Sequence, residues 1–292
     1  MIPGPFEYHS PTSLAEAIDL LGQYGDEAKL LAGGHSLIPL MKLRLAQPAH
    51  LVDLNSVPGL DYIHEEQGHL RIGALTREVD VEYNALILDR YPLIADTARV
   101  VGDPLVRNMA TLGGNLAHGD PANDHPATML ALRATVAIQG PNGERVEPVD
   151  DLFVGLLTTI LEPDEILTEI RIPVPPPRSS GTYIKLERKV GDYAIAAVAV
   201  QITLSPDNSV VQAGIGLTAV GLTPIRAAAA ERFLIGKQLD KAVLQEAGER
   251  AAAAADPSID LRGSAEYKRA MVAELTQRAL MKAAARVMSN GS

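Results

Sequence analysis

Leu14, Ala17, Ile18 and Leu21 recur at the i, i+3, i+4, i+7 spacing of a single helix face. Ser13 and Glu16 stand ahead of them at capping-box spacing, and Gly25 is a natural stop. The pattern predicts a short amphipathic helix. An apolar run at 29–32 then enters Gly33-Gly34-His35-Ser36, residues 37–43 have helical character, and 50–54 read as a strand. The predicted order is strand, tight glycine turn, helix, strand.

Further along, 69–74 alternates apolar and polar positions as a half-buried strand does. Residues 135–139 and 144–149 flank Pro141-Asn142-Gly143 like the arms of a hairpin, and 166–172 alternates again. This stretch, about 57–177, reads as mixed α+β. Pro173-Val174-Pro175-Pro176-Pro177, followed by Arg178-Ser179-Ser180, is the strongest breaker in the chain, stiff and extended, and marks a domain boundary. Beyond it come three candidate strands, 182–188, 196–204 and 210–220, and then helical segments starting at Ile225, Lys241 and Ala265. Strands followed by helices predict a three-stranded antiparallel sheet under a helical layer. The expected division is 1–56, 57–177 and 178–292, with no internal repeat to suggest a solenoid or propeller.

Composition narrows the chemistry. A net charge of −10 with no Lys/Arg cluster leaves no basic face for a nucleic acid, and with no Trp and only 3 Phe a base-stacking platform has little to build on. The chain has 0 Cys, which excludes an ordinary iron–sulfur cluster, a thiolate nucleophile and a redox disulfide within it. Any redox role therefore requires a bound organic cofactor. No apolar run approaches the ~20 residues of a membrane span, and the opening MIPGPFEYHS lacks a basic start and apolar core, so the cytoplasm is the expected location.

Three segments carry candidate chemistry. Ala32-Gly33-Gly34-His35-Ser36 puts two glycines and a hydroxyl at a strand end, where backbone N–H groups can converge on an anion; alone, it reads equally as an ordinary turn. Thr111-Leu112-Gly113-Gly114-Asn115 repeats that chemistry, and two such loops can grip the two phosphates of a dinucleotide. Neither segment matches the G-x-G-x-x-G or P-loop patterns. Gly119-Asp120-Pro121-Ala122-Asn123-Asp124-His125-Pro126 has the composition of a solvated loop, yet Asn123 and Asp124 are also suited to ribose or ribityl hydroxyls. A metal site drawn from His118, His125, Asp120 and Asp124 matches no metal-binding spacing. In the third segment, 185–193, Lys185 can donate to a flavin oxygen and Tyr193 can lie against a flat ring; a charged strand entering a turn explains the same residues.

Taken together and in order, AGGHS at 32–36, TLGGN at 111–115, GDPANDHPA at 119–127 and KLERKVGDYA at 185–194 resemble the FAD-binding medium subunit of the molybdenum hydroxylases, the xanthine dehydrogenase family. MIPGPFEYH and the GDY form of the third segment look closest to its carbon monoxide dehydrogenase branch. The resemblance spans the whole chain. It implies an α+β protein with a two-part vanillyl-alcohol-oxidase-like FAD domain followed by a C-terminal domain of antiparallel sheet and helices. It implies that Ala32, Gly33, Gly34, His35 and Ser36, with Thr111, Gly113, Gly114 and Asn115, hold the FAD pyrophosphate, that Leu37 belongs to the same cofactor-binding set, and that Asp124 meets the sugar side. Val101 and Leu161 match apolar lining positions, Lys185 matches a flavin contact, and Asp192 and Tyr193 fall beside the ring. It further implies a large partner with the molybdopterin cofactor and a small partner with [2Fe–2S] clusters, arranged as a dimer of heterotrimers. A quinone or another acceptor takes the electrons, and the assembled complex has room for a peripheral place at the inner membrane face.

Other readings stay open at this point: the medium subunit of an aldehyde or N-heterocycle oxidoreductase, a free-standing flavin oxidase with flavin on His35, or a colourless binding module. The chain has no Cys for a second flavin linkage and no dedicated substrate domain. One FAD is therefore expected per chain, held without a covalent bond. Acid precipitation should leave a colourless pellet and a yellow supernatant, and a yellow pellet would place a covalent bond at His35.

Overall fold

The computed structural model describes residues 2–290. Its first layer is a parallel sheet of β1 (Glu7–His9), β2 (Ala28–Leu31) and β3 (His50–Asp53) in the order β1-β3-β2, with α1 (Leu14–Tyr24) and α2 (Leu37–Lys42) as crossovers. Ser13 caps α1 by accepting the Glu16 N–H, and Glu16 reaches back to the Thr12 N–H at 2.8 Å, one residue before the expected partner. The predicted apolar stripe is the buried one: Ala17, Ile18 and Leu21 pack on Val52 and Leu54.

The middle of the chain builds a five-stranded antiparallel sheet from β4 (Ile63–Glu66), β5 (His69–Gly73), β6 (Thr135–Gly140), β7 (Gly143–Pro148) and, after the small ribbon β8 (Phe153–Gly155) and β9 (Thr158–Thr159), β10 (Ile166–Pro173). The order is β4-β5-β10-β6-β7, and the Pro141-Asn142-Gly143 turn joins the β6–β7 hairpin as its sequence suggests. Between β5 and β6 the chain makes short helices: α3 (Glu78–Tyr83), α4 (Ala85–Arg90), α5 (Pro92–Ala98), α6 (Pro104–Arg107), α7 (Leu112–Ala117) and α8 (Asp124–Ala131), with α9 (Val149–Leu152) after the hairpin.

The third sheet runs β11 (Ser179–Leu186), β12 (Ala196–Leu204), β13 (Val210–Thr218) and β14 (Ile225–Arg226), antiparallel and in sequence order. Three strands were expected. A fourth, two residues long, occupies the position where helix was predicted from Ile225, and α10 (Ala228–Leu234) begins only after Ala227. With α11 (Lys241–Ala254) and α12 (Ala265–Asn290) it forms the helical layer.

This sheet is covered on both sides. Alternate residues of β12 divide between two cores: Ala196, Val198, Val200, Ile202 and Leu204 face Leu244, Val272, Ala279 and Leu280 of the C-terminal helices. Ala197 and Ala199, with Tyr183, join Leu93, Ile94, Ala127, Met129, Leu70 and Ile170 of the middle region. Small residues on that second face permit very close packing. Helix α8 lies directly on β13, where a Cβ on Gly214 would strike the Ala131 carbonyl oxygen and one on Gly216 the Ala127 carbonyl oxygen. Thr97 and Thr128, both buried, share a 2.6 Å hydrogen bond that ties α5 to α8. Across the same boundary Arg286 of α12 donates to both oxygens of Asp96, at 2.7 and 3.1 Å.

A methyl group at Gly216 has no space unless the helix moves, so Gly216→Ala should destabilise the chain by about 1–3 kcal/mol, the usual cost of overpacking. Chemical denaturation should show a lower midpoint; an unchanged midpoint would mean that helix and strand separate easily.

Candidate functional site

A cleft of about 630 Å³ opens where the three layers meet, and every residue nominated for the cofactor lines it: 32–37, Val101, Thr111, Gly113, Gly114, Asn115, Asp124, Leu161, Lys185, Asp192 and Tyr193. That volume is within the range of cofactor sites.

The 32–36 segment leaves the C-terminal end of β2 as a turn and leads into α2 at Leu37, as predicted, with His35 exposed. Ser36 occupies the N-cap position but makes no capping bond through its side chain, which leaves the hydroxyl uncommitted to the helix. The second glycine segment differs from the loop expected of it. Thr111 is the N-cap of α7 and its Oγ1 accepts the Gly114 N–H at 3.2 Å, so Gly113 and Gly114 belong to a helical first turn. The two segments touch. At Gly33 a Cβ would lie 2.7 Å from Ala110 Cα and closer still to the Met109 carbonyl oxygen. The glycine expected to leave room for a phosphate is thus required at least as much by backbone packing.

Two residues that sequence reasoning missed brace this contact. Asn55 donates to the Ala32 carbonyl at 3.0 Å, and Arg77 donates to both Asn55 Oδ1 and the Met109 carbonyl. Asp53-Leu54-Asn55 carried a usable signal, an Asx turn at a strand end, confirmed by the Asn55 N–H to Asp53 Oδ1 bond of 2.9 Å. Nothing local distinguishes Arg77. Gly102, Val106 and Ala110 also line the cleft and were missed; Val101-Gly102-Asp103-Pro104 held the turn signal for them.

The 119–126 segment is less solvated than its composition suggests. Asp124 and His125 are buried in the first turn of α8. The end of β13 holds the preceding turn: Thr218 Oγ1 donates to the Asn123 carbonyl at 3.0 Å, and the Ala219 N–H to that of Pro121 at 2.9 Å. His125 Nε2 pairs with Glu78 at 2.7 Å, both fully buried, so the imagined His118/His125/Asp120/Asp124 metal site is not assembled. Asp124 instead accepts from Tyr183 Oη at 2.7 Å and from Lys185 Nζ at 3.0 Å, and Lys185 also donates to the Val100 carbonyl at 3.0 Å. Burial pushes the Asp124 carboxyl above its ordinary value, against the opposing pull of the Lys185 ammonium and the Tyr183 hydroxyl. The same burial, reinforced by the Asp124 carboxylate, holds the Tyr183 phenol far above its ordinary value, so it stays a donor.

At the rim, Asp192 accepts from Arg262, Arg188 and the Tyr193 N–H, and these contacts, Arg262 first, hold its carboxyl below the usual range. Tyr193 is 49% exposed at the opening, with the Arg262 guanidinium 5.9 Å from its ring centre. Burial and the nearby Asp120 and Asp124 raise its phenol. Burial pushes the His118 imidazole in the cleft wall below its ordinary value.

An FAD fits this donor set. Two helix-entry glycine segments offer backbone N–H groups, Ser36 offers a free hydroxyl, and the buried Asn115 Oδ1 lining the cleft has no partner within the chain, a vacancy for a ligand donor. Residues 4–175 match the model of the FAD binding domain in molybdopterin dehydrogenase, and residues 181–283 that of the CO dehydrogenase flavoprotein C-terminal domain. The chain belongs to the FAD-binding flavoprotein family of the molybdopterin dehydrogenases. Among its relatives, it is 47% identical over 286 residues to the carbon monoxide dehydrogenase medium chain of Hydrogenophaga pseudoflava, covering 98% of this chain and 99% of that one. It is 46% identical, again over 98% and 99%, to the corresponding chain of Afipia carboxidovorans. The solved structure of carbon monoxide dehydrogenase from Hydrogenophaga pseudoflava contains a chain that superposes with a TM-score of 0.96 at 48% identity, over 98% of this chain and 99% of that one.

The Asp124–Lys185 pair generates a double-mutant test. Lys185→Met strands a buried carboxylate and should cost about 3–5 kcal/mol, whereas adding Asp124→Asn to it should recover a large part of that loss. Additive losses in thermal or urea unfolding would show that the two groups do not interact.

Proposed function

We propose that this chain is the FAD-carrying electron-transfer subunit of a molybdenum-dependent carbon monoxide dehydrogenase. In this reading a large partner holds the molybdopterin cofactor and a small partner holds the [2Fe–2S] clusters, two copies of each subunit assemble as a dimer of heterotrimers, and a quinone or another acceptor takes the electrons. The observation that carries it is the convergence of all four sequence segments on one cleft, in a chain that is alike end to end to carbon monoxide dehydrogenase medium chains.

When bound, FAD supplies a redox centre that links single-electron carriers to an acceptor of an electron pair. The chain's own residues hold it. Residues 32–36 and 111–115 grip the pyrophosphate through backbone N–H groups and hydroxyls, with Leu37 behind them, while Asn115 Oδ1 takes a donor from the cofactor. Asp124 serves the sugar side, Val101 and Leu161 exclude water, and Lys185, fixed by Asp124 and Val100, keeps a cation on the flavin side. Asp192 braces the rim loop that presents Tyr193 beside the ring. We also propose 1–56, 57–177 and 178–292 as the units of the chain. We further propose a place in the cytoplasm or at its membrane face; among the described residues no helix is long and apolar enough to cross a membrane.

Because the chain has no Cys, it cannot supply an iron–sulfur relay, and carbon monoxide has no hydride to give a flavin. The FAD-loaded chain alone, mixed with carbon monoxide and an electron-accepting dye, should give no turnover; adding the two partner subunits should restore it. Sustained dye reduction by the isolated chain would overturn the assignment.

A further inference from the structure

None of Glu7, His9 and His50 lines the cofactor cleft, yet they converge on the first sheet. Glu7 and His9 are two residues apart on β1 and so share a face, and His50 opens β3 directly opposite Glu7 in the parallel register. His9 Nε2 lies 3.1 Å from His50 Nδ1, and His50 Nδ1 lies 3.5 Å from Glu7 Oε2. One potential ligand atom from each residue falls within 4.8 Å of the other two. Among the described residues this is the single such grouping of three.

The rings are held by packing. Tyr24, at the end of α1, stacks on His50 with centroids 3.6 Å apart and planes 10° from parallel, and its ring centre is 5.2 Å from that of His9. A tetrahedral ion bound at roughly 2.0–2.1 Å spaces its ligand atoms by roughly 3.3–3.5 Å, which the two measured separations bracket. Two imidazoles and one carboxylate, with no thiolate, suit a borderline divalent ion.

We propose that Glu7, His9 and His50 form a binding site for a divalent ion of the zinc class. Its protein ligands are a Glu7 carboxylate oxygen, His9 Nε2 and His50 Nδ1, and water completes the shell. Ligation needs both rings neutral, each carrying its proton on the outer nitrogen, so the proton now bridging the two rings moves within its own ring and none is lost. The ion would staple β1 to β3. The three-residue strand β1 otherwise holds its edge position through a short ladder.

Co2+ titration of the full chain, followed by its visible absorption, tests the site. One equivalent should bind with the intense bands of a low-coordinate nitrogen–oxygen site, and Zn2+ should displace it and raise the Tm. His9→Gln and His50→Gln should each weaken binding at least tenfold and abolish the Tm rise. His64→Gln, which alters the separate His64–Glu66 pair, should change neither. X-ray absorption on the Zn2+-loaded wild type needs no variant to fold and should show two imidazoles in the first shell. Binding unaffected by both substitutions, no uptake of Co2+ by the wild type, or a first shell without imidazole would each overturn the proposal.

Discussion

The seating of helix Asp124–Ala131 on strand Val210–Thr218 is the contact on which the site depends. Helix and strand meet backbone to backbone because Gly214 and Gly216 present no side chain to the Ala131 and Ala127 carbonyls. Neighbouring Ala197 and Ala199 keep the same face shallow. With the helix so low, its first residue reaches the sheet, and Asp124 meets Tyr183 and Lys185 of strand Ser179–Leu186, two strands over, at hydrogen-bond distance. A helix one methyl layer higher would lift Asp124 away from both and leave the buried ammonium with the Val100 carbonyl and the more distant Glu187 carboxylate, 3.7 Å away. Small residues in one layer thus set the electrostatics of another.

Burying a carboxylate and an ammonium together is costly for each, and the arrangement persists because each compensates the other and all their polar atoms find partners. The result is a cation in a fixed place at the cleft wall, on a rigid strand. The two glycine segments show the same economy of motion. Their contact at Gly33 and the Asn55–Arg77 brace hold them in position through protein–protein interactions alone. A ligand entering the cleft at these segments would meet a preformed cradle and lose little binding energy to ordering it.

Much of the fold was legible because local signals agreed with tertiary demands. The Ser13 cap and the Leu14 stripe mark the first helix, and Pro141-Asn142-Gly143 marks the hairpin. Alternation at 166–172 and the apolar run at 196–204 mark the central strands. The short helices between Glu78 and Ala131 were not legible: several span only one or two turns, too few for a periodicity to repeat, and packing rather than propensity stabilises them. Thr111-Leu112-Gly113-Gly114 looked like a loop because glycine disfavours helix, yet Thr111 caps a helix there and Gly113 sits against Ala74, where a side chain would not fit. Ile225 was read as helix because strand β14 is only two residues long and is defined by its partner, not by its own sequence. The four motifs meet at one cleft, but the bracing roles of Asn55 and Arg77 were not legible, since each acts on backbone far away in sequence and the Asx turn at Asp53 marks only the local bend.

The two-sided burial of the β12 sheet bears on how the chain folds. One face of that sheet closes the core shared with helices α5 and α8, and the other closes the core under α11 and α12. The stiff segment from Pro173 to Arg178 separates these parts in sequence, while the sheet joins them in space. Neither part can leave the native state without uncovering apolar surface on the other, so loss of structure in the C-terminal helices propagates through the sheet to Asp124 and the cleft. Such a chain has little to gain from partial opening: the segments 57–177 and 178–292, distinct in sequence, share a core, so the wall of the cleft should lose its structure together with the C-terminal helices.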